Sequence, residues 1–103
     1  MDELVRRLSS GRHPVVAARA TSPIDLEEGI ERGYVLLTFT STQGGTELGV
    51  AVDRERSRLD EADFVTGSGV IQLVGRSRLN DDAVEVRADL DLATLAGEGT
   101  LVV

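Results

Sequence analysis

The chain has 103 residues, of which 41% are hydrophobic, and it carries a formal charge of −7 at neutral pH. This length predicts a single domain, residues 1–103, that buries a core of its own. The sequence contains no cysteine, which excludes disulfides and thiolate metal sites. The acidic balance argues against nucleic acid as a partner, because phosphate binding needs a basic face.

Two further features of the composition bound the class of protein. No apolar run approaches the ~20 residues of a membrane-spanning helix, and the N-terminus begins with acids in place of an apolar leader. We therefore expect a soluble, cytoplasmic protein with no membrane partner. Aromatic residues make up only 3% of the chain, so Val, Leu, Ile and Ala must fill the core.

Helical spacing marks the beginning of the chain. In residues 2–10, Leu4, Val5 and Leu8 fall on one side, and acids at the start with arginines near the end complement the helix dipole. This pattern predicts a short helix whose apolar stripe packs on a sheet. Residues 15–20 follow a His-Pro break and are small or apolar on both faces, which predicts an interior strand.

Residues 22–32 leave two interpretations open. Ser22 and the proline after it fit the N-cap and first position of a helix, on which Leu26 and Ile30 share one face. Alternatively, the chain stays extended and turns at the Glu-Glu-Gly sequence. The capping pattern favours the helix.

The next segments predict a hairpin. Residues 34–41 are rich in β-branched and aromatic side chains, which fit a pleated surface better than a helix. Gly44 and Gly45 supply the positive-φ residues of a tight turn. Residues 46–53 return with alternate apolar side chains.

The second half of the chain predicts another hairpin. Residues 83–92 alternate strictly between apolar and charged side chains, which gives one buried and one solvated face. Residues 70–79 are apolar on both faces near their start, which predicts a central strand. The turn at residues 80–82 joins the two strands.

Two shorter segments complete the prediction. Residues 54–63 are dense in charge, and Ser57 begins a single predicted helical turn. After a predicted turn at residues 97–99, residues 100–103 form a last short strand.

These elements predict an α+β domain with a curled antiparallel sheet of five or six hairpin-connected strands and the N-terminal helix packed on it. A small β-barrel is the alternative architecture. The apolar last strand must either sit between two neighbours or offer an edge to another chain, so we also expect a homodimer.

Candidate functional residues are few. The sequence has no motif for catalysis, metal binding or a cofactor, so we predict none of these. For a small ligand it offers four candidate binding residues, His13, Asp25, Tyr34 and Arg76. Arginine suits bidentate capture of carboxylates and phosphates. A structural or surface role is the simpler interpretation for the histidine and the acidic residue.

The scarcity of nucleophiles and bases favours a non-catalytic protein-binding or accessory module of a bacterial-type system. Its acidic charge steers it towards a basic partner surface, as in an immunity or antitoxin-type protein that covers a basic toxin. The alternative is a small-ligand-binding protein, or a simple lyase or isomerase, with a pocket inside the curled sheet.

Overall fold

A computed structural model describes residues 2–103. Its elements are α1 (Glu3–Leu8), β1 (His13–Val16), α2 (Pro23–Arg32), β2 (Tyr34–Phe39), β3 (Thr46–Val52), β4 (Val70–Leu79), β5 (Asp82–Asp91) and β6 (Ala96–Val102). Consecutive strands pair antiparallel, and β6 pairs with β1 to close a six-stranded barrel. The alternative prediction, a small β-barrel, is therefore confirmed. The α+β prediction is right about the hairpins and the N-terminal helix, but the sheet is closed.

Apolar side chains fill the interior of the barrel. Side chains alternate along each strand, so every second residue points inwards; Leu37 of β2 and Leu90 of β5 are both fully buried. The predicted alternation of residues 83–92 is confirmed, because Val86 is 1% exposed whereas Arg87 faces solvent. Each buried aliphatic side chain contributes about 1.5–3 kcal/mol to the free energy of folding.

Glycines on the inner face of β6 let this strand lie close to the backbone of β5. A Cβ atom at Gly97 would overlap the carbonyl oxygen of Asp89, and one at Gly99 would lie 2.9 Å from the carbonyl oxygen of Arg87. Glycine inside a strand permits such a close approach of backbones. The prediction of a turn at residues 97–99 is therefore wrong, since these residues lie inside β6.

The helix α1 closes one end of the barrel. The Asp2 carboxylate caps this helix and accepts a hydrogen bond of 2.8 Å from the N–H of Leu4. Asn80, in the turn between β4 and β5, donates to the same carboxylate at 3.2 Å and lowers its pKa. Val5 and Leu8 are fully buried, so the predicted helix and its apolar stripe are confirmed.

The helix α2 covers the opposite end. Ser22 Oγ accepts a hydrogen bond of 3.1 Å from the N–H of Asp25, and a proline occupies the first helical turn. Leu26 and Ile30 are buried. Of the two interpretations of residues 22–32, the helix is correct. No helix within residues 2–103 is long and apolar enough to cross a membrane.

The boundaries of the first and last strands differ from the prediction. β1 ends at Val16, whereas the predicted strand extends to residue 20. The chain turns after Val16, and the N–H of Ala20 donates to the carbonyl of Ala17 at 3.1 Å. β6 begins at Ala96 and pairs with both β5 and β1. Of the two arrangements expected for the last strand, pairing between two neighbours is confirmed.

The predicted helical turn that begins at Ser57 is wrong. The Ser57 hydroxyl donates to the carbonyl of Asp53 at 2.7 Å and accepts from the N–H of Val74 at 3.0 Å. The next residue, Arg58, forms an isolated bridge with Gln72 of β4. These contacts attach Ser57 and Arg58 to β4, and the Ser57 hydroxyl bonds to that strand rather than capping a helix.

The barrel has an open seam between β1 and β2. Their ladder contains only two residue pairs, the last of them Val16 with Thr38. Even-numbered residues of β2 direct their backbone groups towards β1, as the bond of 3.1 Å from the N–H of Thr40 to the carbonyl of Pro14 demonstrates. Leu36 is the next such residue, and its N–H and C=O face the side that β1 has left.

Proline substitutions test this seam. Leu36 and Thr38 are both half-buried and point outwards on β2. Thr38→Pro removes a ladder hydrogen bond and should lower the free energy of unfolding by about 1–3 kcal/mol relative to Thr38→Ala. Leu36→Pro removes an N–H that has no ladder partner, so it should cost less than about 1 kcal/mol relative to Leu36→Ala. Urea denaturation of the four variants gives both differences, and equal costs would contradict an open seam.

Candidate functional site

A pocket of about 210 Å³ opens at the seam, between α2 and the start of β2. We call it the seam pocket. It is lined by Arg19, Ala20, Asp25, Leu26, Gly29, Arg32, Tyr34, Val35 and Leu36. These residues come from the β1–α2 loop, from α2 and from β2, so the pocket forms where β1 has turned away from its neighbour.

A glycine lets α2 approach β2 closely at this pocket. A Cβ atom at Gly29 would lie 3.1 Å from the carbonyl oxygen of Tyr34 and 3.3 Å from Cγ1 of Val35. Any larger residue would push the helix away from the strand. Leu26 is 3% exposed and packs against the core. The pocket therefore combines an apolar floor with a rim of charged side chains.

Tyr34 lies on the outer face of the barrel beside the seam pocket. Its side chain crosses from β2 to β3 above Gly49, where a Cβ atom would overlap the phenol hydroxyl. The residue is 55% exposed, although aromatic side chains usually bury most of their surface. The missing side chain of Gly49 is thus what allows the ring to lie across β3.

Tyr34 and Arg76 lie in one row of the outer face. The register pairs Tyr34 with Ala51, and Ala51 with Arg76. The two residues are therefore two strands apart, with about 10 Å between their backbones, and only the small Ala51 stands between them. We call the outward-facing residues of this area, Tyr34, Leu36, Gly49, Ala51 and Arg76, the Tyr34 face.

Ion pairs hold two of the charged side chains at the rim of the seam pocket. Arg19 Nε donates to Glu47 Oε2 on β3 at 2.9 Å. This hydrogen bond lowers the pKa of Glu47 and raises the pKa of Arg19. Arg32 has a longer contact, 3.9 Å, with Glu28 one helical turn away, and both side chains are exposed. The Arg32 guanidinium is therefore the more weakly held of the two.

Of the four candidate residues named from the sequence, three lie on this side of the barrel. Asp25 and Tyr34 both line the seam pocket, and Arg76 shares the row of Tyr34. His13 does not join them, because it lies at the start of β1 with its Nε2 atom 3.0 Å from the carbonyl oxygen of Ser10. That contact places its ring near the end covered by α1.

Sequence reasoning missed Leu36 and Gly49. A glycine in the middle of a β pattern is a signal that another group approaches closely, and at Gly49 that group is the Tyr34 ring. No local signal marks Leu36. Its free backbone groups depend on where β1 departs, which is a property of the whole barrel.

A cluster of arginines adjoins the Tyr34 face. Glu85 forms ion pairs with Arg56 and, at 2.6 Å, with Arg87. Arg76 is its cross-strand neighbour. Hydrogen bonds from Arg56 and then Arg87 lower the pKa of Glu85 from 4.5 to about 2. One carboxylate thus holds two guanidinium groups in place on an otherwise acidic protein.

Acidic side chains line a groove on the other flank of α2. This groove, of about 380 Å³, lies between α2 and the β3–β4 loop. We call it the acidic groove, because Glu27, Glu31 and Asp60 line it with a single guanidinium, that of Arg54. Within residues 2–103, no group of three or more histidines or carboxylates is placed to hold a metal ion.

No protein-family model matches this sequence, and a search of curated proteins finds no significant match. The function is therefore inferred from the geometry of the surface. Two areas flank α2: the Tyr34 face with the seam pocket on one side, and the acidic groove on the other.

The position of the Tyr34 ring over Gly49 can be tested by fluorescence, because the chain has one tyrosine and no tryptophan. Gly49→Ala introduces a Cβ atom where the phenol hydroxyl lies, so the ring should leave its seat and become more accessible to acrylamide quenching. Gln72→Ala, an exposed position on β4, is the control and should leave quenching unchanged. Identical quenching of Gly49→Ala and wild type would place the ring elsewhere.

The ion pairs of Glu85 predict a pH dependence. Glu85→Gln should lower the free energy of unfolding by about 1 kcal/mol near neutral pH. The pKa of Glu85 falls from 4.5 to about 2 on folding, so its contribution is complete above the unfolded value and is lost as the pH falls towards the folded value. Urea denaturation should show the difference between wild type and Glu85→Gln shrinking over this interval.

The exposed Glu61 provides the control for this measurement. Glu61→Gln should change the free energy of unfolding little at any of these pH values. A difference for Glu85→Gln that stays constant as the pH falls would contradict the ion pairs.

Proposed function

We propose that this chain is a non-catalytic protein-binding module whose docking surface is the Tyr34 face. The observation that carries the proposal is the exposed Tyr34 ring, seated over Gly49 with Arg76 in the same row. Tyrosine and arginine are enriched among the residues that dominate the binding energy of protein interfaces. A ring that already has a fixed seat loses little conformational freedom when a partner covers it.

The geometry favours a protein over a small molecule as the ligand. Pockets for drug-sized molecules measure about 300–1,000 Å³, whereas the seam pocket, which Asp25 and Tyr34 line, measures about 210 Å³. The acidic groove is larger, about 380 Å³, but none of the four candidate ligand-binding residues lines it. Leu37, Leu90 and their neighbours fill the barrel interior, so a ligand has to bind on the outside. The alternative function, a small-ligand-binding protein or a simple lyase or isomerase, therefore has less support.

We further propose that the partner presents a basic surface. The formal charge of −7 steers the chain towards such a surface. The acidic groove, with Glu27, Glu31 and Asp60, lies next to α2 and so adjoins the docking surface. An immunity or antitoxin-type protein that covers a basic toxin is one form of this function.

Affinity capture from a lysate of the source organism tests the proposal. The wild-type chain is compared with Tyr34→Ala by quantitative mass spectrometry. We expect a protein that the wild type captures and Tyr34→Ala loses, because truncation of a central interface tyrosine costs about 2 kcal/mol or more. Calorimetry with that purified protein should then show tighter binding by the wild type than by Tyr34→Ala. The affinity of the wild type should fall with added salt, because salt screens the attraction between the acidic chain and a basic partner.

Two variants serve as controls. Tyr34→Phe keeps the ring and should retain most of the binding, and Val65→Ala changes a residue that is 84% exposed but lies outside the Tyr34 face. Equal capture by Tyr34→Ala and wild type would move the docking surface elsewhere. If nothing is captured even at low salt, the chain is not a protein-binding module.

A further inference from the structure

The open seam exposes strand backbone on one side of β2. The N–H and C=O of Leu36 point to the side that β1 vacates after Val16, and within residues 2–103 neither group forms a hydrogen bond. Unpaired backbone groups of this kind are a template for another extended chain. The β3–β4 ladder also has only two residue pairs, but there the Ser77 hydroxyl donates to the carbonyl of Gly49 at 2.8 Å.

We infer that the partner inserts an extended segment into the seam and adds a strand to β2. This inference rests on the proposed protein-binding function and names the part of the partner that docks. β1 runs antiparallel to β2 as far as Val16, so an antiparallel segment continues the ladder where β1 leaves it. One residue of the segment then exchanges both backbone hydrogen bonds with Leu36.

The register fixes where the side chains of the segment go. The residue opposite Leu36 points outwards, beside Leu36 and the Tyr34 ring, because paired residues share a face of the sheet. The residues before and after it point inwards, and one of them enters the seam pocket against Leu26 and Val35. An apolar side chain fits this floor, and a pocket of about 210 Å³ accommodates one such residue.

The charges at the rim favour an acidic group in the segment. Asp25 already accepts a hydrogen bond of 2.9 Å from the N–H of Thr21. Among residues 2–103, Arg32 has only the long, exposed contact to Glu28, so its guanidinium is available to a carboxylate of the segment. The basic surface proposed for the partner faces the acidic groove on the opposite flank of α2, so the two charges engage different parts of the partner.

The short length of the seam makes this edge selective. On one side, α2 lies so close to β2 that a Cβ atom at Gly29 would be 3.1 Å from the carbonyl oxygen of Tyr34. On the other side, β2 is paired with β1 from Thr38 onwards. Leu36 therefore offers a single site of pairing between two obstacles. Short, covered edges resist indiscriminate stacking of strands.

Random peptides displayed on phage, selected against the wild-type chain, provide the probe. We expect the selected sequences to alternate apolar with polar residues and to include an acidic one. A selected peptide is then synthesised and titrated by calorimetry. Leu36→Ala keeps the seam N–H but removes the side chain beside the bound segment, and should weaken binding about threefold. Leu36→Pro also removes the N–H and should weaken binding about tenfold further than Leu36→Ala.

Amide hydrogen exchange provides a test without substitutions at the seam. In the free wild-type chain the amide of Leu36 should exchange fast, and saturation with the peptide should protect it. The amide of Thr38, already paired with Val16, should change little. A Leu36 amide that stays unprotected in the complex would overturn strand addition.

The remaining outcomes separate this inference from the proposed function. If no peptide is selected, or if the peptide binds Leu36→Pro as tightly as wild type, strand addition is wrong. The protein-binding function still stands in that case if Tyr34→Ala loses the captured partner. A dimer in light scattering that Leu36→Pro dissociates would replace the partner segment by a second copy of the chain.

Discussion

The ladder between β6 and β1 is the interaction on which the rest of this structure depends. It pairs all four residues of β1, His13–Val16, and joins the two ends of the sheet. Glycine on the inner face of β6 fits β6 between its two neighbours: a side chain at Gly97 would collide with the carbonyl of Asp89 on β5, and a Cβ atom at Gly99 would lie 3.0 Å from Cγ2 of Val15 on β1. Without the ladder, β1 and β6 would both be open edges, and the buried Leu101 would lie on one of them.

The same ladder creates the seam. β1 stays with β6 as far as the bond of 2.8 Å from the N–H of Ala17 to the carbonyl of Leu95, and so it diverges from β2. α2 borders the resulting gap, and its Leu26 and Gly29 line the seam pocket there. A helix fills space but cannot complete a β-ladder, because its own backbone groups bond to one another. The free backbone of Leu36 is therefore a consequence of barrel closure.

Local patterns were sufficient to predict the hairpin strands, because alternation and turn residues act within a few positions. They failed at residues 97–99, where two glycines resemble a turn but serve a contact with β5. They also failed at Pro14, which is tolerated inside β1 because its carbonyl still accepts from Thr40. Tyr34 was predicted as a candidate from its chemistry, but the role of Leu36 depends on a tertiary event that no local pattern records.

Two glycines of this barrel, Gly97 and Gly49, are explained by different contacts. Gly97 faces inwards, and the close approach of the β5 backbone explains it. Gly49 faces outwards, and the Tyr34 ring occupies the space that a side chain at this position would take. Glycine inside a strand lowers the stability of the fold by roughly 0.5–1 kcal/mol relative to alanine. Glycine at position 49 therefore weakens β3, and the ring that lies over it remains 55% exposed. The ring covers the bare backbone at Gly49, as aromatic side chains do over other strand glycines, and its exposed face is the part available to the proposed partner.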